Sequence, residues 1–338
     1  MAASPKQNTI KSKSLTKNSM KAIICARYGP PEILQLGEVE KPAPKDDQIL
    51  AKIHAASVNP ADFFRIDGLA RFMGAGFRKP KDPRIGIDFA GVVESVGSGI
   101  SQLKPGDEVF GICPGSLAEY AAATEGKIAL KPANLSFEEA AAIPVAACTA
   151  LQGLRDRGKI HSGQKVLVSG AGGGVGSFAV QLAKSFGTEV TGVTRTENFD
   201  MVRSIGADHV VDYTKEDFTK NGGQYDLIYD VSSNHSVFAL KRVLKPGGIC
   251  VIAGFSSFPR LIEHIVIGRL ISTAGNKKVG FQGIAKMNTK DLIFLKELIE
   301  AGRVRPVIDR RYPLDRAAEA MRYLGEHHAR GKIIVTVD

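Results

Sequence analysis

The sequence predicts an α/β protein of two parts: a mostly β region, then a doubly wound parallel-sheet region, with the end of the chain returning to the first. Three observations carry this. From Met20 to about Lys131, short apolar runs are divided by Gly and Pro, with no long helical pattern between them. From Gln164 onward, strand patterns alternate with helical ones. The chain has 338 residues, room for about two domains, each with its own core.

In the first region Lys21–Ala26, Gln48–Ala56, Ala90–Val96, Glu108–Phe110 and Ala118–Ala122 read as strands. Turns are marked by Pro30-Pro31 and by Lys104-Pro105-Gly106-Asp107. Strands this short and this closely spaced predict a twisted antiparallel barrel or sandwich. Beyond Asn134 the character changes. Ser136 precedes Glu138, Glu139 and an Ala-rich run, a helix start in which hydroxyl and acids satisfy the exposed N–H groups. The βα alternation then runs Lys165–Ser169, Gly176–Phe186, Glu189–Val193, Asp200–Ile205, His209–Asp212, Tyr225–Asp230, Ser236–Leu244 and Ile249–Ala253. An amphipathic helix opens at Asn288 or Thr289 and runs to about Ala301, with Gly302 as its stop. Pro313–Leu324 reads as a further helix and Lys332–Val337 as a strand. The expected division is residues 1–19 as a disordered leader, 20–142 with 278–338 as the mostly β domain, and 143–277 as the parallel-sheet domain.

Composition is that of an ordinary enzyme, 43% hydrophobic and 24% charged. No run of about 18 apolar residues occurs, which excludes a membrane-spanning helix. Of the net charge of +10, four units come from Lys6, Lys11, Lys13 and Lys17, in a stretch without acids. The rest is spread along the chain with no basic run among aromatics, so no nucleic-acid partner is expected. Cys25, Cys113, Cys148 and Cys250 lie far apart and form no CxxC pair. That excludes a disulfide framework and a zinc ribbon, and fits a reducing, cytoplasmic setting. Residues 1–19 contain neither an arginine nor an apolar core of signal-peptide length.

The most informative segment runs from Lys165 to Ala183. An apolar strand leads directly into Gly170-Ala171-Gly172-Gly173-Gly174-Val175-Gly176 and then a helical pattern. Alone, GxGxxG is weak, but between a strand and a helix it marks a dinucleotide site. A pyrophosphate must approach backbone N–H groups at a helix N-terminus, and side chains larger than hydrogen would hold it off. Ala171, Gly172, Gly173, Gly174, Val175 and Gly176 are therefore expected cofactor contacts. The following strand ends in Thr194-Arg195-Thr196, with no acid before Glu197. An acid there would bind the 2′-hydroxyl of NADH, whereas hydroxyl and basic groups accommodate a 2′-phosphate. Thr194 and Arg195 thus favour NADPH.

Several further motifs accompany the turn: Tyr28-Gly29-Pro30-Pro31-Glu32, Val58-Asn59-Pro60-Ala61-Asp62 with Arg65 and Gly68, Gly86-Ile87-Asp88-Phe89-Ala90-Gly91-Val92-Val93, and Pro105-Gly106-Asp107-Glu108-Val109. With these the chain resembles the zinc-free quinone oxidoreductase (zeta-crystallin-like) branch of the medium-chain dehydrogenase/reductase superfamily, from Met20 to Asp338. The resemblance implies a GroES-like catalytic domain and a Rossmann domain. It places the zinc-ligand positions of metal-dependent members at Asn59, Ile87 and Val145, none of which suits tetrahedral zinc. It implies that Asn59 and Asp62 stand beside the nicotinamide; the lesser alternative is that Asn59 caps the turn at Pro60 and Asp62 caps a helix. It implies further cofactor contacts from Thr149, Tyr213, Gly254 and Phe255, and a homodimer paired through edge strands near Ile249–Ala253. The loop from Gly68 to Arg84, with Phe72, Met73 and Phe77, is a candidate pocket wall.

Without a Lewis acid, an electron-poor quinone or α,β-unsaturated carbonyl accepts hydride more readily than a simple alcohol is oxidised. The expected activity is NADPH-dependent, metal-free reduction of such an acceptor. A zinc-dependent alcohol dehydrogenase with unusual ligands, and a non-catalytic NADPH-binding protein, are the competing readings.

Overall fold

The computed structural model describes residues 18–68, 78–254, 257–273, 275–326 and 328–337. The first region contains β1 (Ser19–Ile24), β2 (Gln35–Glu40), β3 (Gln48–Ser57), α1 (Pro60–Ile66), β4 (Asp88–Val96), β5 (Glu108–Ile112), β6 (Tyr120–Thr124) and β7 (Ile128–Leu130). Two short helices follow, α2 (Phe137–Ala141) and α3 (Pro144–Gln152). The second region runs β8 (Lys165–Ser169), α4 (Gly174–Ser185), β9 (Glu189–Thr194), α5 (Phe199–Ser204), β10 (His209–Asp212), β11 (Tyr225–Asp230), α6 (Val237–Arg242), β12 (Leu244–Ile252), α7 (Phe258–Thr273) and β13 (Lys278–Phe281). The chain closes with α8 (Thr289–Glu300), β14 (Ile308–Pro313), α9 (Ala317–Gly325) and β15 (Lys332–Thr336).

β8 to β13 form one all-parallel sheet in the order β10-β9-β8-β11-β12-β13. The strand order reverses between β8 and β11, and in open α/β sheets ligands bind at such a switch point. Both faces of this sheet are covered: Val166 and Val168 pack with Phe178 of α4 on one side, and Leu167 packs with Val237 and Leu240 of α6 on the other. Burial on both faces explains why these strands are apolar throughout rather than alternating.

The second sheet runs β14-β15-β3-β4-β5-β7, with β6 also on β3, and its pairings are antiparallel except β14 with β15. β15 lies antiparallel on β3, so the tail does return to the β region. The alanine-rich helix α3 shares one core with both sheets, its Ala147 and Ala150 buried alongside Ala90, Phe110, Val166 and Ile334. The small side chains let both sheets come close to it.

Two expectations change and a third becomes specific. The expected boundary at 277 falls just before β13, which is the outermost parallel strand; its four residues were too few to register as a separate βα unit. The edge strand near Ile249–Ala253 is β13, which pairs with β12 on the side away from β11. The helix expected at Pro313 begins at Ala317, since Pro313 ends β14 and a short 3-10 turn follows. Among the described residues no helix is long and apolar enough to cross a membrane.

Candidate active site

The glycine turn leaves β8 at Gly170, whose φ of 79° lies in the left-handed region that favours glycine. Gly170 and Ala171 both donate to the Val193 carbonyl, at 3.1 and 3.0 Å, fastening the turn to the neighbouring strand. Gly173 is the N-cap of α4, and Ser177 is the first amide bonded within that helix, to Gly173 at 2.9 Å. The amides of Gly174, Val175 and Gly176 therefore precede the helical ladder, where an anion is favoured. A Cβ on Gly176 would lie 2.0 Å from the Gly170 carbonyl oxygen, and one on Gly172 would lie 2.5 Å from Asn198 Nδ2 and 2.7 Å from Thr194 Oγ1. The cradle fits a dinucleotide pyrophosphate; backbone leaves no room for a side chain at Gly176, and one at Gly172 would displace Asn198 and Thr194.

Because β8, β9 and β10 run parallel, their C-terminal ends share one edge of the sheet with this turn. Thr194 is buried and its hydroxyl accepts from Asn198 Nδ2 at 3.2 Å. The Arg195 guanidinium donates to the Tyr213 hydroxyl, and Tyr213 is 48% exposed. Sequence reading overlooked one acid here, Asp212. It is buried, and its carboxylate accepts from the Thr196 hydroxyl and from the Thr214 hydroxyl and amide. These hydroxyl bonds, the one from Thr196 foremost, hold its carboxyl down at about 2. The Asp212 carboxylate is thus engaged by its neighbour in the chain, Thr214, and by Thr196 just past β9.

Opposite the turn, four segments meet at Asp88 on β4. Asp88 Oδ2 accepts from Ser57 Oγ at 2.7 Å and Asn59 Nδ2 at 2.9 Å, and Oδ1 accepts from the Val145 amide at 3.0 Å. Lys332 on β15 donates to Asn59 Oδ1 at 2.6 Å and approaches Asp88 Oδ2 at 3.3 Å. The expected positions Asn59, Ile87 and Val145 thus converge, with Ile87 adjoining Asp88 in the chain. They supply no thiolate or imidazole, so they do not fit a tetrahedral zinc. Among the described residues no group of three or more His, Cys, Asp or Glu side chains could hold a metal ion.

Asp62 takes up the capping alternative. Its Oδ2 accepts from the Asn59 amide at 2.9 Å, closing the start of α1, and the residue is wholly buried. Burial, then the Asp88 charge, push its carboxyl up to about 7, against the pull of the Asn59 amide, Arg65 and Lys332. Its Oδ1 has no hydrogen-bond partner.

On α3, Val145 and Thr149 lie one turn apart and are partly exposed, whereas Ala146, Ala147, Cys148 and Ala150 between and beside them are buried. The Thr149 carbonyl accepts from Tyr229 Oη at 3.0 Å and Gln282 Nε2 at 2.9 Å, which pins this part of the helix. Burial pushes the Cys148 thiol far up, leaving an inert apolar side chain. Gly254 closes the β12 end, where a Cβ would stand 2.4 Å from the Val231 carbonyl oxygen. Phe255, like Phe72, Met73 and Phe77 of the expected pocket wall, lies outside the described residues. Asp88 and Lys332 were missed as site residues. The available signal was a charge at the head of an apolar strand, in Asp88-Phe89-Ala90 and in Lys332-Ile333-Ile334-Val335.

Comparison with known proteins agrees with this geometry. The alcohol dehydrogenase GroES-like domain matches residues 45–133, and the zinc-binding dehydrogenase family matches residues 205–335. A 2-methylene-furan-3-one reductase of Solanum lycopersicum is 38% identical, over 94% of this chain and 79% of the relative. The chain belongs to the medium-chain dehydrogenase/reductase superfamily. Within that superfamily, an NADPH-dependent alkenal/one oxidoreductase of Arabidopsis thaliana, described as chloroplastic, is 35% identical over 99% of this chain and 83% of the relative. A quinone oxidoreductase of Sus scrofa is 33% identical over 94% and 97%. The solved quinone oxidoreductase of Coxiella burnetii superposes with a TM-score of 0.83 at 30% identity, covering 95% of this chain and 100% of that one.

Proposed function

We propose that this chain is an oxidoreductase that transfers a hydride from NADPH to a quinone or an α,β-unsaturated carbonyl, without a metal. One observation carries the reading. A glycine cradle at the head of α4 shares a sheet edge with Thr194, Arg195 and Tyr213, where the buried Asp212 carboxylate is already engaged by the Thr196 and Thr214 hydroxyls and the Thr214 amide. The end of β9 thus offers a 2′-phosphate a cation, while the neighbouring Asp212 carboxylate is held by its own chain.

The turn amides from Ala171 to Gly176 would hold the pyrophosphate, Thr194, Arg195 and Tyr213 the 2′-phosphate, and Thr149 and Gly254 the nicotinamide end. When bound, the nicotinamide supplies the hydride. The protein supplies orientation and exclusion of water, which suffice for an electron-poor acceptor. Asn59 and Asp62 serve as the frame of this site, one pinning β4 and β15, the other capping α1. The names of the Solanum, Arabidopsis and Sus relatives support quinones and enones as acceptors.

The open edge of β13 and the exposed Ile262, Ile265, Val266 and Leu270 of the neighbouring α7 support a homodimer formed there. Four free, buried cysteines support a reducing compartment. The test of function is NADPH oxidation by the purified chain against a panel of quinones, enals and enones. Turnover with several of them, without added metal and undiminished by a chelator, is expected. No turnover with any acceptor, or one tightly bound zinc per chain, would overturn the reading.

A further inference from the structure

Lys332 carries an ammonium that is only 4% exposed, beside a carboxylate, Asp88, that is not exposed at all. Removing an ammonium from water costs several kcal/mol unless every N–H finds an acceptor. Here the three N–H groups have three acceptors: Asn59 Oδ1 at 2.6 Å, Asp88 Oδ2 at 3.3 Å and the Val58 carbonyl at 3.5 Å. We propose that Lys332 is a positioning residue of the reductase site, locking the Asn59 amide, the Asp88 carboxylate and the cofactor turn into one arrangement. This role rests on the reductase reading above.

Two consequences of the geometry carry it. With Oδ1 of Asn59 held by the ammonium, its Nδ2 faces Asp88 at 2.9 Å and the Ser57 carbonyl at 3.4 Å, so the amide has a single orientation. Asp88 in turn holds the Val145 amide, so the partly exposed face of α3, with Thr149 one turn on, is set by the same ion pair. At its other end Lys332 is bound to the cofactor turn. Its chain neighbour Gly331 donates to the Gly172 carbonyl at 2.9 Å, and its alkyl stem lies 3.0 Å from where a Cβ on Gly174 would stand. The head of the side chain thus fixes the reacting end of the cleft while its stem and backbone line the phosphate end.

The charge balance supports the same role. Asp62 on α1 and Asp88 on β4 face one buried ammonium from β15; burial and then the Asp88 charge push the Asp62 carboxyl up, while Arg65 on α1 and Lys332 pull it down. Buried ion pairs are poor stabilisers, since apolar replacement of both partners is often neutral. Stability alone therefore gives no reason for a lysine at this point.

The experiment compares the full-length natural chain with Lys332→Met and with Lys332→Met/Asp88→Asn. Methionine keeps the stem, and the double variant leaves no uncompensated carboxylate if the single one folds poorly. NADPH affinity, read from the fluorescence of bound NADPH, is expected to stay within about threefold, whereas kcat falls by roughly tenfold or more with acceptor KM within about threefold. Thermal stability lost in the single variant is expected to return in the double, and kcat is not. If either variant folds and keeps kcat within about threefold of the natural chain, the role is overturned and Lys332 merely balances Asp88. An inactive natural chain would sink the reductase reading and this role together, whereas an active natural chain with an equally active variant would sink the role alone.

Discussion

The carbonyl oxygen of Gly170 lies 2.0 Å from the position a Cβ on Gly176 would take. No side chain fits between the end of β8 and the first turn of α4, so the strand and helix meet backbone to backbone. Gly176→Ala is expected to lose about 1–3 kcal/mol of stability by overpacking. Because the helix must shift away from the turn, NADPH affinity falls with it. Urea denaturation and NADPH titration measure both, and an alanine variant as stable and as tight-binding as the natural chain would contradict the close approach.

Arg195 is held by the Tyr213 hydroxyl at the end of β9, with the neighbouring carboxylate of Asp212 engaged elsewhere. Arg195→Ala is expected to weaken NADPH by roughly 10–100-fold, the value of a hydrogen bond to a charged group, and to leave NADH nearly unchanged. Tyr213→Phe should show the same preference in milder form. Equal losses for both nucleotides would remove Arg195 from phosphate recognition.

Asp62 links pH to stability. Its folded carboxyl is raised to about 7 from an ordinary 3.8, chiefly by burial. A raised acid stabilises the fold fully below its unfolded value and loses that contribution as pH rises through the folded value. The natural chain is therefore expected to lose stability from about pH 4 to about pH 7 and to level off above that. Asp62→Asn keeps an oxygen for the Asn59 amide and cannot ionise, so its stability should change less over the same interval. Identical slopes in chemical denaturation would show that Asp62 does not titrate there.

On α7, Ile265 and Val266 are 49% and 52% exposed beside the open edge of β13. Val266→Glu is expected to shift the chain from dimer to monomer in sedimentation or size-exclusion measurements with little change in fold, because an isolated charge in an apolar interface is costly. A natural chain that is monomeric at all concentrations would rule out this interface.

How much of this was readable beforehand differs from residue to residue. β8, β10 and β11 lie at the limits expected from their apolar runs. Ser136 caps α2, with Glu139 returning a bond to the Ser136 amide, as the spacing predicted. Asn288 likewise caps α8 through the Asp291 amide. α7 was not anticipated, and its exposed isoleucines show why: its apolar residues do not fall on one buried stripe, so no amphipathic period marks it. For the site, the glycine turn was legible and Arg195 stood out at the end of its strand, whereas the bond from Arg195 to Tyr213 and the places of Asp88, Asp212 and Lys332 were not.

The sequence by itself determined the βα alternation, the caps and the turn from Gly170 to Gly176, because these are demands of periodicity, φ and hydrogen bonding among residues a few positions apart. Only the tertiary structure decided that Lys332 would reach Asp88 across 244 positions, that Thr196 and Thr214 would both bond Asp212, and that β13 would take the edge of the sheet. A buried charge chooses its partner from whatever the packed strands bring within hydrogen-bond reach, and that choice exists only after the two sheets have closed around α3.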